Sequence, residues 1–223
     1  MQRDLIRHVL IMAAGRGNRM RPLTDNIPKP MLPYKDGTLI GHSLAMLRQG
    51  THSIHVTVGY KSAMLSHYLM TLGNVATVLN TEGHDNSWWL YNTLLKYVDE
   101  PVLVLTCDNI TELNLEFLNT EYARTGAPAC LIVPVTPIPG IAGDYLTYES
   151  DIVTALQRHT PTDLYCSGMQ VLNPARVVAL TDGGDNFYSV WNGLILQRQL
   201  KISRVYPNNW FSVDTFEQLA NLT

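Results

Sequence analysis

Apolar runs and helical patterns alternate along the first 135 residues. HVLIMAA (8–14), IHVTVGY (54–60), VATVLN (75–80), PVLVLTC (101–107) and ACLIVPV (129–135) are short and nearly continuously apolar. Runs of that length and character predict strands buried on both faces. Between them lie stretches with apolar residues three and four apart. Ile40, Leu44 and Leu47 mark one helix that stops at Gly50, and a second runs over 62–73 to a glycine. Trp88, Tyr91, Leu95 and Val98 predict a single helix through 88–98, and Leu115, Leu118 and Tyr122 another. This β-α order predicts an α/β fold, a Rossmann-like, mixed but mostly parallel sheet flanked by helices. From about residue 136 the rhythm changes. Turn residues surround short runs at 145–149, 152–157 and 165–172, which predict a small antiparallel patch over about 136–185. A helix over 186–199, a strand over 202–206 and a helix over 215–222 complete the pattern. No linker composition interrupts the chain, so residues 1–223 read as a single domain with the patch as a subdomain.

Composition narrows the function. The chain has 223 residues, 46% hydrophobic and 16% charged, with a net charge of −3. Such a surface carries no global basic field for nucleic acid or an anionic membrane. No apolar run approaches the length of a membrane span, and the apolar part of the N-terminus reads as a first strand rather than a leader. Cys107, Cys130 and Cys166 sit in apolar runs without zinc spacing, the pattern of buried thiols in a cytoplasmic protein. His52 and His55 are three apart on a predicted strand and face opposite sides, so they do not form a metal set.

Against that acidic background, MAAGRGNRMRPLTDNIPKPML (12–32) is locally basic and Gly-rich. It directly follows the first strand, where open α/β sheets bind their ligands. Gly15 and Gly17 let backbone amides approach an anion, Arg19 can grip phosphate oxygens with two donors, and Lys29 adds a compact charge. Pro22, Pro28 and Pro30 stiffen the loop. The stretch reads as a cradle for a triphosphate. Met20 occupies the third glycine of a dinucleotide fingerprint, which argues against an NAD site, and no G-K-[ST] completes a Walker loop. Asp108, at the end of the fourth strand, is placed to hold a hard cation such as Mg²⁺.

These residues resemble the sugar-phosphate nucleotidyltransferase family and its signature G-x-G-[TS]-R-[LM]-x-P-L-T…P-K-P. The match takes in Gly15, Gly17, Arg19, Met20, Pro22, Leu23, Thr24, Pro28, Lys29 and Pro30, with Asn18 in place of Thr or Ser. The resemblance implies that Arg19 stabilises the departing pyrophosphate and Lys29 the α-phosphate. It also implies that Ala13, Ala14, Gly15, Gly17 and Asn18 contact the nucleotide and that Asp108 binds Mg²⁺. A late W-x-D segment supplies the family's second carboxylate. Here the text is NNWFSVDTFEQL, so Ser212 falls on that position and Asp214 is the candidate ligand, the alternative being a cap on the last helix. DNSWWLYN (85–92) looks like the N-N-x-x-S-L of phosphocholine cytidylyltransferases, which brings Asn86 and Ser87 near the nucleotide, and Glu82 and Gly83 just before it are candidate contacts to the base. The segment GDYLTYESDIVTALQRHTPTDLYCSGMQVLNP resembles the acceptor-binding part of short members such as N-acetylmuramate-1-phosphate uridylyltransferases. Asp144 and Arg158 are then acceptor ligands, with a solvated hairpin pair as the other reading.

The resemblance implies an Mg²⁺-dependent enzyme that joins an NTP to a sugar-1-phosphate or similar phosphomonoester, releasing pyrophosphate. Two alternatives stay open: a phosphocholine-type cytidylyltransferase, and a nucleotide-binding regulatory homologue without turnover. Both partial resemblances point to a pyrimidine base. Neither nucleic acid nor membrane is an expected partner, and a homo-oligomer is compatible with the sequence.

Overall fold

Strand β1 (His8–Met12) is the axis of the fold. It pairs in parallel with β4 (Ser53–Val58) on one side and β6 (Val102–Thr106) on the other. The registers set Met12 beside Thr57 and Thr106, so the three strands end level and their following loops share one rim. A computed structural model describes residues 5–47, 53–141, 143–184 and 186–222. Gly50 and His52 lie outside the described residues.

The alternation of side chains along β1 divides the core. Val9 and Ile11 point to a cluster that includes Ile40, Leu44, Leu65, Leu118 and Tyr122, on α1 (Leu39–Leu47), α2 (Ser62–Leu72) and α4 (Leu115–Arg124). Leu10 points the other way, into a cluster with Trp89, Val177, Phe187, Val190 and Leu194. Those residues come from α3 (Trp88–Asn92), α5 (Pro174–Leu180) and α6 (Phe187–Leu196). Helices therefore cover both faces, which is why the strands are apolar throughout. Helix starts follow local chemistry. Asn114, Asn173 and Asn186 each accept an amide of the first turn, and Thr215 forms a capping box with Gln218 at α7 (Phe216–Ala220).

Among the described residues the main sheet runs β5-β4-β1-β6-β11-β8-β12-β10-β9. Here β5 is Thr77–Asn80, β8 Cys130–Val135, β9 Tyr145–Glu149, β10 Ile152–Gln157, β11 Tyr165–Leu172 and β12 Leu200–Ile202. It is the mixed, helix-flanked sheet that the hydrophobic pattern predicts, and the three strands of the predicted antiparallel patch begin and end as expected. They belong to the main sheet, however. β11 is inserted antiparallel between β6 and β8, while β9 and β10 form its far edge. Two short antiparallel pairs lie beside it: β2 (Pro33–Tyr34) with β3 (Gly37–Thr38), and β7 (Asn109–Thr111) with β13 (Trp210–Ser212).

Two predicted elements are corrected. The helix over 88–98 is broken at Thr93, whose extended backbone ends α3. Its hydroxyl bonds the Trp89 carbonyl and accepts the Leu95 amide, starting a separate 3₁₀ turn over Leu94–Tyr97. Trp89, Leu90 and Leu95 are the buried side chains there, not Trp88. The strand predicted over 202–206 lies earlier and is shorter, at Leu200–Ile202, where it continues the ladder of β8.

A third cluster positions the functional region. Met20, Leu32, Tyr34 and Leu39 pack against Val213 and Leu219. The proline-rich loop after β1 is thus docked on the chain's last helix, almost two hundred residues away in sequence.

Candidate active site

The loop that follows β1 is shaped by contacts below it. Gly17 adopts φ +66°, and a Cβ there would lie 2.9 Å from Cβ of Lys29, so glycine is needed for both conformation and space. The Gly17 carbonyl accepts the Thr24 hydroxyl at 3.0 Å. Above the loop the situation reverses. A Cβ at Gly15 would meet no atom within 4 Å, and the amides of residues 15–19 donate to no group among the described residues. Successive unpaired amides beside open space are the features of an anion cradle.

Opposite the cradle, four charged side chains meet. The Lys29 ammonium donates to Asp108 Oδ2 at 2.7 Å and to Asp214 Oδ1 at 3.1 Å. Arg19 reaches the same Asp214 oxygen at 2.9 Å. Lys29 comes from the proline-rich loop, Asp108 from the end of β6 and Asp214 from the segment after β13. The Lys29 side chain is only 9% exposed, yet its pKa is raised. Burial alone would lower it, and the two carboxylates more than offset that penalty. Burial pushes the neighbouring Cys107 thiol far up, so it is an inert wall of the site.

Two cavities adjoin along β1. One, of about 400 Å³, is lined by Gly15, Gly17, Asn18, Arg19, Lys29, Asp108 and Asp214 among others. The second, of about 430 Å³, extends past β4 and is lined by Ala14, Arg16, Thr57, Tyr60, Thr81, Glu82, Gly83, Asn86 and Trp89 among others. Met12, Gly15 and Asn86 line both, so the charged cavity opens into the less charged one.

Most residues singled out from the sequence therefore face this double cavity. Four do not. Ala13 is buried, and its amide is taken by Thr57 Oγ1 at 3.1 Å. Ser87 is wholly buried and donates to the Gly184 carbonyl at 2.6 Å, so its hydroxyl faces the α5–α6 connection instead of a nucleotide. Asp144 and Arg158 pair with each other at 2.8 Å, with the guanidinium 5.2 Å from the Tyr188 ring, and line neither cavity. Asp214 is not the cap of the last helix, a position held by Thr215. Arg16 and Tyr60, 5.0 Å apart in a cation–π contact, went unnoticed in the sequence, as did Thr57 and His84. The rule that ligands sit at strand ends, applied to β4 as well as β1, finds Thr57 and Tyr60.

A cavity where unpaired loop amides face two carboxylates at the carboxyl ends of a parallel sheet lies where doubly wound α/β proteins bind ligands. The Nucleotidyl transferase family model matches residues 8–139, more than half of the chain, and the chain belongs to that family. It is 33% identical over 115 residues to the bifunctional protein GlmU of Methanocaldococcus jannaschii, covering 51% of this chain and 28% of that one. It is 27% identical over 180 residues to a mannose-1-phosphate guanyltransferase of Pichia angusta, covering 74% and 49%. The chain thus spans half or less of the length of these curated relatives. Among solved structures, the inositol-1-phosphate CTP transferase from T. maritima superposes with a TM-score of 0.78 at 13% identity, covering 97% of this chain and 96% of that one. The CTP:phosphocholine cytidylyltransferase from Streptococcus pneumoniae gives 0.76 at 20% identity, covering 97% and 98%. At such identities the likeness is one of fold.

Proposed function

We propose that this chain is an Mg²⁺-dependent nucleotidyltransferase that joins an NTP to a sugar-1-phosphate or a similar phosphomonoester. The observation that carries the reading is the Lys29 ammonium held between Asp108 and Asp214, facing the unpaired amides of residues 15–19. In the reaction an oxygen of the acceptor phosphate attacks the α-phosphorus, the bond from that phosphorus to the bridging oxygen breaks, and pyrophosphate leaves. The acceptor is already an anion, so no general base is needed. The work is to hold two anions together and to balance charge as the bond order shifts.

The amides of residues 15–19 cradle the polyphosphate, Arg19 steadies the leaving pyrophosphate, and Lys29 turns from its carboxylates to the α-phosphate. Asp108 and Asp214 fit a divalent cation. Each already binds a cation through one oxygen, Asp108 Oδ1 has no partner among the described residues, and an all-oxygen set suits Mg²⁺. When bound, the ion supplies further charge neutralisation at the phosphates. Arg16, Tyr60, Glu82 and Gly83 border the adjoining cavity, where the nucleoside lies in this reading.

The test is pyrophosphate release with Mg²⁺, each of the four NTPs, and a panel of sugar-1-phosphates, inositol-1-phosphate and phosphocholine. Release is expected only when divalent ion, NTP and phosphomonoester are all present, with CTP or UTP preferred. Turnover of GTP with mannose-1-phosphate would reverse the choice of base. Binding of NTPs without release in any combination would favour a non-catalytic regulator.

A further inference from the structure

Strand β11 is irregular beside the site. Its pairing with β8 loses register between Cys166 and Met169, and its pairing with β6 begins only at Gln170. Ser167 and Gly168 fill the gap. Gly168 has φ +82°, and a Cβ there would lie 2.7 Å from Nδ2 of Asn109. Ser167 is 1% exposed, and its hydroxyl both donates to the Val133 carbonyl at 2.6 Å and accepts the Met169 amide at 3.0 Å. The side chain thus replaces ladder bonds that the bulge forfeits, and the Ser167 carbonyl is held in a fixed direction.

That carbonyl takes two side-chain donors. One is Asn109 Nδ2, from the residue directly after Asp108. The other is the indole N–H of Trp210 at 2.8 Å, from β13, the strand that leads to Asp214. Trp210 also packs edge-on against Tyr165, 5.5 Å between ring centroids. The same two strands pair with each other, Ser212 opposite Asn109, and the Val213 amide donates to the Asp108 carbonyl at 2.9 Å. Asp108 and Asp214 therefore flank one small ladder, and side chains from both of its strands bond the same main-sheet carbonyl.

We propose that Asn109 and Trp210 are positioning residues that fix the separation of Asp108 and Asp214 by docking the β7–β13 ladder on the Ser167 carbonyl. The inference rests on the reading of these carboxylates as cation ligands. Neither Asn109 nor Trp210 lines either cavity, so each acts through the carboxylates and not on a ligand. Residues that orient ligands in this way are worth ~10- to 100-fold in metal affinity.

The experiment uses the full chain with Mn²⁺ as probe, its binding followed by the electron-spin signal of the free ion, without substrates. Trp210→Phe keeps an aromatic ring, though a smaller one, and deletes the N–H. Its Mn²⁺ affinity is expected to fall by about tenfold, and the Trp210→Phe/Asn109→Ala double variant to fall further. Glu121→Gln, which loosens a remote ion cluster, serves as a control for general destabilisation and is expected to keep wild-type affinity. In turnover, the Mg²⁺ concentration for half-maximal rate should rise in Trp210→Phe while KM for the NTP changes less than about twofold. Trp210→Phe that binds Mn²⁺ as wild type does overturns the proposal, whatever its melting temperature. So does a wild-type chain that binds no Mn²⁺. Mn²⁺ binding without pyrophosphate release would instead overturn the catalytic reading and leave the positioning measurable.

Discussion

Two ionic clusters in this molecule use the same kinds of side chain and come to different ends. Glu121, on α4, is completely buried, yet both its oxygens are saturated. Arg124 donates to both through Nε and Nη2, and Arg204 donates through its amide and Nε. Asp151 completes the set by pairing with Arg124. This cluster clasps α4 to the turn after β12 and adjoins neither cavity. In the cluster of Lys29, Asp108 and Asp214, by contrast, the Arg19 side chain is 65% exposed, and among the described residues one acceptor oxygen and the amides of the facing loop have no partner. A saturated cluster is a fastening. One with spare donors and acceptors beside a cavity is poised to exchange partners. Unspent hydrogen-bonding capacity, not charge, separates the two.

The largest effect expected from that difference falls on the open cluster. Asp108→Asn or Arg19→Ala should lose over two orders of magnitude in turnover with the preferred NTP and acceptor, the size typical of a lost electrostatic contact to a developing charge. The melting temperature of Arg19→Ala should shift little, since Arg19 is mostly solvated, whereas Asp108→Asn also removes a charge that compensates the buried Lys29. Near-wild-type turnover in either variant would place the cluster among the fastenings.

The closed cluster should respond in the opposite way. Glu121→Gln leaves two guanidinium groups short of a charge, but both can turn to water, so a loss of about 2 kcal/mol is expected instead of the full cost of a buried broken pair. For a chain of this size that lowers the melting temperature by roughly 6 °C, with turnover per folded molecule unchanged. The pH dependence has a definite sign. Burial would raise the Glu121 pKa, but the Arg124 and Arg204 hydrogen bonds outweigh it and hold it at about 2. A folded-state pKa below the unfolded one stabilises above about pH 4.5, and that stabilisation is lost as pH falls toward 2. The gap in melting temperature between wild type and Glu121→Gln should close over that range. A gap that persists at low pH would mean the clasp owes little to the carboxylate charge.

The sequence exposes the open cluster better than the closed one, for a physical reason. Arg19, Lys29 and their loop are contiguous and lie beside a recognisable strand, and Asp108 marks the end of another. Local pattern suffices to read them. Asp214 is harder, because its partnership with Lys29 is made by the packing of Met20 and Leu32 on Val213 and Leu219. Glu121 carries no local sign of burial beyond Arg124 three residues on, since Arg204 comes from a distant turn and Asp151 joins only through Arg124. Errors in the site have the same origin. Ala13 and Ser87 lie within the right segments, but which way an amide or hydroxyl turns depends on neighbours such as Thr57 and Gly184. The helix through 88–98 fails because apolar spacing carries no notice of the break that Thr93 makes.

A third polar pair offers a smaller test of the saturation argument, far from the cavities. His8 Nδ1 and His55 Nε2 are 3.2 Å apart, and His55 Nδ1 contacts Thr77 Oγ1 at 2.7 Å. Glu100 stands 3.8 Å from His8 on the other side. Burial first, and the His8 ring second, depress the His55 pKa to about 4. The unfolded chain binds the proton more readily, so stability should fall as pH drops from about 6.5 toward 4. His55→Gln should flatten that slope in melting curves. A slope that survives would assign it to other groups.

The smallest effect concerns Asp144 and Arg158, which sit between the two classes. They pair at 2.8 Å, as a fastening would, yet the Arg158 side chain is 64% exposed and its Nη donors have no acceptor among the described residues. An exposed pair of this kind contributes about 0–1 kcal/mol to stability. If spare capacity is what marks a binding group, Arg158 can turn its free donors to the acceptor phosphate while Asp144 holds its Nε. Arg158→Ala should then raise the acceptor KM by about fivefold, roughly 1 kcal/mol of binding, with kcat and the NTP KM unchanged. Asp144→Asn should do the same more weakly, by releasing the guanidinium from its orientation. An acceptor KM that Arg158→Ala leaves untouched would return the pair to the hairpin surface, and show that open donors count only where a cavity faces them.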